Sequence, residues 1–126
     1  MGLMYSSIEL SNPREPGLGR VQVQALVDTG SMYLCIPEQV AIQLRLQQHD
    51  EREVTIANGS KKVVPYVGPI EVRFGRRSCF TGALVLGNTV LLGAVPIEDM
   101  DLVVIPSTRR LVVNPDSPDI QSSIVM

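Results

Sequence analysis

The chain has 126 residues and a formal net charge of −2, enough for one modest core and too short for two. With 44% hydrophobic and 19% charged residues it has the make-up of a folded protein rather than a disordered one. Its basic clusters do not exceed Arg76-Arg77 or Arg109-Arg110, which argues against a nucleic-acid partner.

No apolar run approaches the ~20 residues of a membrane helix. The N-terminus shows no basic stretch followed by an apolar one. No membrane association and a cytoplasmic location are therefore expected. Cys35 and Cys79 lack CxxC spacing and have no histidine cluster beside them, so they are expected as free thiols, with no metal site. Without Trp, and with only two Phe and three Tyr, the core must be built from Val, Leu and Ile, which favours strands.

Residues 3–10 predict a first strand, ended by Asn12-Pro13, and Arg14 to Gly19 reads as a loop. Val21 to Val27 begins with period-two alternation and becomes wholly apolar, as a strand does on passing into a core. Asp28 to Ser31 is then a turn. Pro37 suits the first position of a short helix with Glu38 in its first turn and Val40, Ala41, Leu44 and Leu46 as a partly apolar face. It is the only helix expected. His49, beside Asp50, Glu51 and Arg52, reads as part of a solvated loop.

Glu53–Ile56 and Lys62–Val64 flank Ala57-Asn58-Gly59-Ser60, and Asn-Gly between alternating segments predicts a hairpin, because both residues tolerate positive φ. After Gly68-Pro69, Ile70–Phe74 alternates and stops at Gly75. Cys79-Phe80 and Ala83–Leu86 are further strand material, and Val90-Leu91-Leu92-Gly93 is a short buried run. Leu102–Ile105 and Leu111–Val113 read as a second hairpin around Pro106–Arg110. Residues 114–126 read as a tail, loose or draped over the surface. The whole, 1–126, is expected to be one all-β domain with one short helix and a core of about 3–113.

The chemistry concentrates at Ala25-Leu26-Val27-Asp28-Thr29-Gly30-Ser31. A carboxylate at the end of a burying strand is costly without partners. One reading is an ordinary turn in which Asp28 accepts local backbone N–H bonds. The other is catalytic, and it requires a second carboxylate that this chain lacks in any matching motif. Met32 and Tyr33 are candidates either for a substrate pocket or for core packing.

This segment, the helix near Pro37, the hairpin at Asn58-Gly59 and Leu91-Leu92-Gly93 together resemble the retropepsin-like aspartic proteases, single-domain relatives of the retroviral proteases. The resemblance covers about residues 21–113. The segment from Gly2-Leu3 to Pro13 and Leu92-Gly93-Ala94-Val95-Pro96 are more similar to bacterial and archaeal members than to viral ones.

The resemblance implies an acid-protease barrel that works as a homodimer on peptide or protein substrates without a cofactor. Asp28 would supply one carboxylate of a dyad that activates water. In such dyads the two apparent pKa values lie about 3 pH units apart, so one member acts as base while the other stays protonated. Thr29, Gly30 and Ser31 would support the turn, with the Thr29 hydroxyl bonding across the dimer axis. Ala57, Asn58, Gly59 and Ser60 would be the flap, and Leu91, Leu92 and Gly93 the second glycine motif.

Two departures stand out. The retroviral acidic residue and arginine that brace the turn are replaced by Met32 and Ala94, and the flap tip has one glycine. The alternative function is a catalytically inactive peptide-binding or dimerisation module on the same fold.

Overall fold

A computed structural model describes residues 3–125, so the expectations that touch Met1, Gly2 and Met126 lie outside the described residues. Strand β1 (Tyr5–Ser11) pairs antiparallel with β2 (Arg20–Val27), and a short 3-10 turn, Pro16–Leu18, lies between them. A three-residue strand β3 (Leu34–Ile36) leads into helix α1 (Glu38–Gln43), and β4 (Gln47–Thr55) forms a long hairpin with β5 (Lys61–Phe74). Then follow β6 (Arg77–Val85), β7 (Val90–Leu92), helix α2 (Ala94–Asp99), and the hairpin of β8 (Leu102–Ile105) and β9 (Arg110–Val113).

The strand order β1-β2-β7-β3-β6-β5-β4, together with pairing of β1 to β5, closes β1, β2, β7, β3, β6 and β5 into a barrel. Closure removes the free sheet edges, and β4 extends outward from β5. The barrel is filled by Ile8, Leu10, Ala25, Leu34, Ile36, Ile70, Val72, Ala83 and Leu92, with Leu44 of the α1 end and Met100 of the α2 end against them. The expected Val/Leu/Ile core is present.

Several sequence expectations need correction. Ala94–Asp99 is a second helix. Pro96 sits in its first turn, where the missing N–H costs nothing. Pro37 is the cap before α1 rather than its first residue. His49 belongs to strand β4, not to a loop, although it is exposed. β5 runs through Gly68-Pro69, across a register shift, instead of breaking there. Cys79-Phe80 and Ala83–Val85 form one strand.

At the hairpin tip only Gly59 has positive φ, +87°. The Gly59 N–H donates to Ile56 O at 2.8 Å and the Ile56 N–H to Ser60 O at 2.9 Å. This is a three-residue loop closed by a left-handed glycine. Asn58 contributes through its side chain, whose Oδ1 accepts from the Ser60 N–H (2.9 Å) and hydroxyl (2.6 Å).

The tail lies against the body and is tied there. The Asp101 carboxylate accepts bonds from the Ser117 hydroxyl, from Asn114 Nδ2 (3.0 Å) and from the Ser122 N–H (2.9 Å). These three, with a smaller contribution from Arg77, hold the Asp101 carboxyl down at about 2, against an ordinary 3.8. A depressed carboxyl stabilises the fold above its unfolded value and loses that contribution as pH falls through the folded one. The tail attachment is thus at full strength above about pH 4 and weakens from there towards pH 2. A carboxyl-carbon NMR titration is expected to place the Asp101 midpoint near 2; a midpoint near 3.8 would show that the tail does not hold this group.

Candidate active site

Asp28 follows directly on β2, whose last residues are pinned on both sides. The Val27 N–H donates to Met4 O at 2.8 Å and the Asp28 N–H to Leu92 O at 3.0 Å. β7 lies between β2 and β3, parallel to the first (Leu26↔Leu91, Val27↔Leu92) and antiparallel to the second (Cys35↔Leu91). Leu91-Leu92-Gly93 therefore passes beneath the Asp28 turn and fills the gap between its two flanking strands.

Within the turn both carboxylate oxygens are engaged. Oδ1 accepts the Gly30 N–H at 2.9 Å, and Oδ2 accepts the Ser31 hydroxyl at 3.1 Å. The Ser31 N–H closes the turn on Asp28 O at 3.1 Å. A Cβ on Gly30 would sit 3.2 Å from Oδ1, so a larger residue would crowd the carboxylate it serves. These two bonds fix the plane of the carboxylate. Thr29 is exposed, and its hydroxyl has no partner among the described residues.

Helix α2 is tied to the turn by backbone bonds. At the start of α2 the Ala94 N–H donates to Ser31 O at 2.7 Å and the Val95 N–H to Met32 O at 2.9 Å. The helix meets the turn closely: a Cβ on Gly93 would lie 2.5 Å from Tyr33 O and 2.7 Å from both Met32 C and Ser31 O. Met32 itself is exposed, which settles it as a surface residue and not core packing.

Sheet register adds Cys35, Leu84 and Tyr66, which sequence reasoning did not assign to the site, to Leu26 and Leu91, which it did. Leu26, Leu91, Cys35, Leu84 and Tyr66 are successive cross-strand partners, so their side chains share one face. Their chain neighbours Ala25, Val90, Leu92, Leu34 and Ala83 fill the barrel, so this row is on the opposite face. It begins two residues before Asp28. Burial pushes the Cys35 thiol up, and the nearby Asp28 charge pushes it further, which ties the row to the carboxylate.

The same face continues onto the β4–β5 hairpin through the pairs Arg52↔Val64 and Val54↔Lys62, with the Arg52 guanidinium 4.0 Å from the centre of the Tyr66 ring. The hairpin tip, Ala57 to Ser60, is exposed. A cleft of about 560 Å³ opens beside Asp28 and Thr29, lined by Leu3, Met4, Val104 and Arg109 among others. A smaller groove of about 370 Å³, between Arg14, Tyr66 and Phe80, has neither Asp28 nor Thr29 in its wall. Among the described residues no helix is long and apolar enough to cross a membrane.

The closed barrel with a strand-end aspartate turn is the architecture of retroviral-type proteases, and solved structures agree. The retroviral protease-like domain of Ddi1 from Leishmania major is similar at 12% identity and a TM-score of 0.58, over 91% of this chain and 90% of that one. The EIAV protease complexed with the inhibitor HBY-793 is similar at 15% identity and a TM-score of 0.57, over 82% and 93%. A retropepsin-like aspartic protease from Rickettsia conorii is similar at 17% identity and a TM-score of 0.54, over 88% and 79%. No curated protein sequence matches the chain. The sequence model of the aspartyl protease family matches residues 17–123, and the chain belongs to that family.

Proposed function

We propose that the protein is a homodimeric aspartic endopeptidase, with one Asp28 from each of two copies forming the catalytic dyad. The observation that carries this reading is the Asp28 carboxylate at a strand end, oriented through both oxygens by Gly30 and Ser31, beside an exposed Thr29 hydroxyl with no partner among the described residues. A simple turn accounts for the first bond but gives Thr29 nothing to do.

In the dimer the two Asp28 side chains share one proton, because two adjacent carboxylates do not both ionise cheaply. The charged member takes a proton from a water as that water attacks the peptide carbonyl; the protonated member donates to the carbonyl oxygen. Thr29 bonds across the twofold axis and fixes the turns against each other. A substrate binds extended, its backbone pairing with strands and alternate side chains meeting the protein. Leu26, Leu91, Cys35 and Leu84 supply an aliphatic wall, and Ala57–Ser60 at the tip of the β4–β5 hairpin act as a flap that excludes water. The two free thiols fit a reducing compartment, and we place the protein in the cytoplasm.

Because half of the site comes from each copy, cleavage of a peptide per chain falls on dilution, in step with dimer dissociation followed by sedimentation. A chain that is monomeric at every concentration and cleaves peptides at a constant rate per chain contradicts the reading. A monomer that binds peptides without cutting them favours the inactive module.

A further inference from the structure

Arg77 is the one charged residue fully buried among the described residues, 4% exposed. A guanidinium taken out of water needs compensation. Nη1 donates to Met100 O (3.3 Å) and Asp101 O (3.4 Å) and lies 3.5 Å from Asp101 Oδ2, while Nη2 donates to Ser117 O. Met100 caps the C-terminal end of α2, where a cation also offsets the partial negative charge of the unpaired carbonyls.

α2 is therefore pinned at both ends. Its N-terminal end carries the Ser31 and Met32 carbonyls of the catalytic turn on the Ala94 and Val95 amides. Its C-terminal end is held by Arg77 from β6. A six-residue helix has little stability of its own, so its orientation depends on these anchors. β8 starts immediately after Asp101, and Val104, Pro106 and Arg109 of its hairpin line the cleft beside Asp28 and Thr29. The tail closes the arrangement from outside. Asn114, Ser117 and Ser122 bond to Asp101, and Gln121 bridges the Ser78 N–H (3.0 Å) and Asp99 O (2.8 Å).

We propose that Arg77 and Asp101 are a positioning pair for the two-chain site, with residues 114–122 as the strap that locks them. They fix α2 between the catalytic turn and β6, and thereby hold in place both the turn through which the two copies would form the dyad and the β8–β9 hairpin that lines the cleft beside it. This rests on the reading of the protein as a homodimeric peptidase. Neither residue touches the reacting atoms.

The test compares the full-length parent with Arg77→Met, Arg77→Lys and Asp101→Asn by three measurements: thermal melting, the dimer dissociation constant from sedimentation, and kcat/KM of the dimer well above that constant. Arg77→Met is expected to raise the dissociation constant at least about tenfold at a temperature where the barrel is still folded. Arg77→Lys, which keeps the charge but loses the fork, is expected to fall between it and the parent.

Variants that melt earlier but keep the dissociation constant and the dimer's kcat/KM within twofold of the parent overturn the proposal and leave a purely structural cluster. Should Arg77→Met not fold, Arg77→Lys and Asp101→Asn decide by the same criterion. A parent that is monomeric and inactive overturns the proposal together with the peptidase reading; an active dimeric parent with unaffected variants overturns the proposal alone.

Discussion

Replacing Asp28 with Asn is expected to lower kcat/KM for peptide cleavage by at least about a thousandfold, the range lost when a general base is removed. The fold should survive the change. The Asn side chain is nearly isosteric, its Oδ1 can still accept the Gly30 N–H, and its Nδ2 can donate to the Ser31 hydroxyl in place of accepting from it. Circular dichroism and melting should thus match the parent while cleavage disappears. Equal cleavage by parent and variant would remove Asp28 from the chemistry and return Asp28-Thr29-Gly30-Ser31 to the status of a turn.

Gly93→Ala is expected to destabilise the fold strongly, because the added methyl meets backbone rather than a side chain that can move. The backbone at Gly93 has φ −92° and ψ −176°, open to any residue, so the cost is one of space. The added carbon would meet Tyr33 O at 2.5 Å and Ser31 O and Met32 C at 2.7 Å, all backbone atoms that cannot rotate away. Overpacking of this kind costs about 3 kcal/mol, a drop of about 10 °C in melting temperature for a chain of this size. The segment that must yield, Ser31 to Tyr33, begins with the residue whose hydroxyl holds the Asp28 carboxylate. Where the protein still folds, kcat/KM is expected to fall by about a hundredfold, as small misplacements of catalytic groups do. A melting temperature within 2 °C of the parent, measured by calorimetry, would show that α2 does not press on the turn as described.

Much of this was legible because it is local. The apolar run into Asp28, the Leu-Leu-Gly run, the Asn-Gly hairpin and the β8–β9 hairpin each carry their pattern within a few residues. The errors fall where long-range pairing decides. His49 to Arg52 is polar throughout and reads as a loop, yet it belongs to a hairpin strand because β5 supplies its partner. β3 has only three residues and exists because β7 and β6 flank it. Pro96 hides α2 from a search for uninterrupted helical pattern. The aliphatic row of Leu26, Leu91, Cys35 and Leu84 draws on four strands, so no stretch of sequence displays it. The composition of the tail leaves it either loose or draped over the surface, and what decides for the second is an anchor, Arg77, 40 residues upstream of Ser117.

The tie between α2 and the turn was equally invisible, since backbone amides of Ala94 and Val95 leave no residue signature. Met32 shows the opposite case. Its identity suggested either a pocket or a core, and its exposure removes the core.

The central claim, that one active site needs Asp28 from two copies, is tested most directly by mixing. Parent protein is equilibrated with a tenfold excess of the Asp28→Asn variant at a concentration where both are dimeric, and peptide cleavage is measured per parent chain. Nearly all parent chains would then be paired with a variant chain, so cleavage is predicted to fall by about tenfold. Cleavage that stays equal to that of the parent alone would mean that a single chain holds a complete site, and would contradict the account.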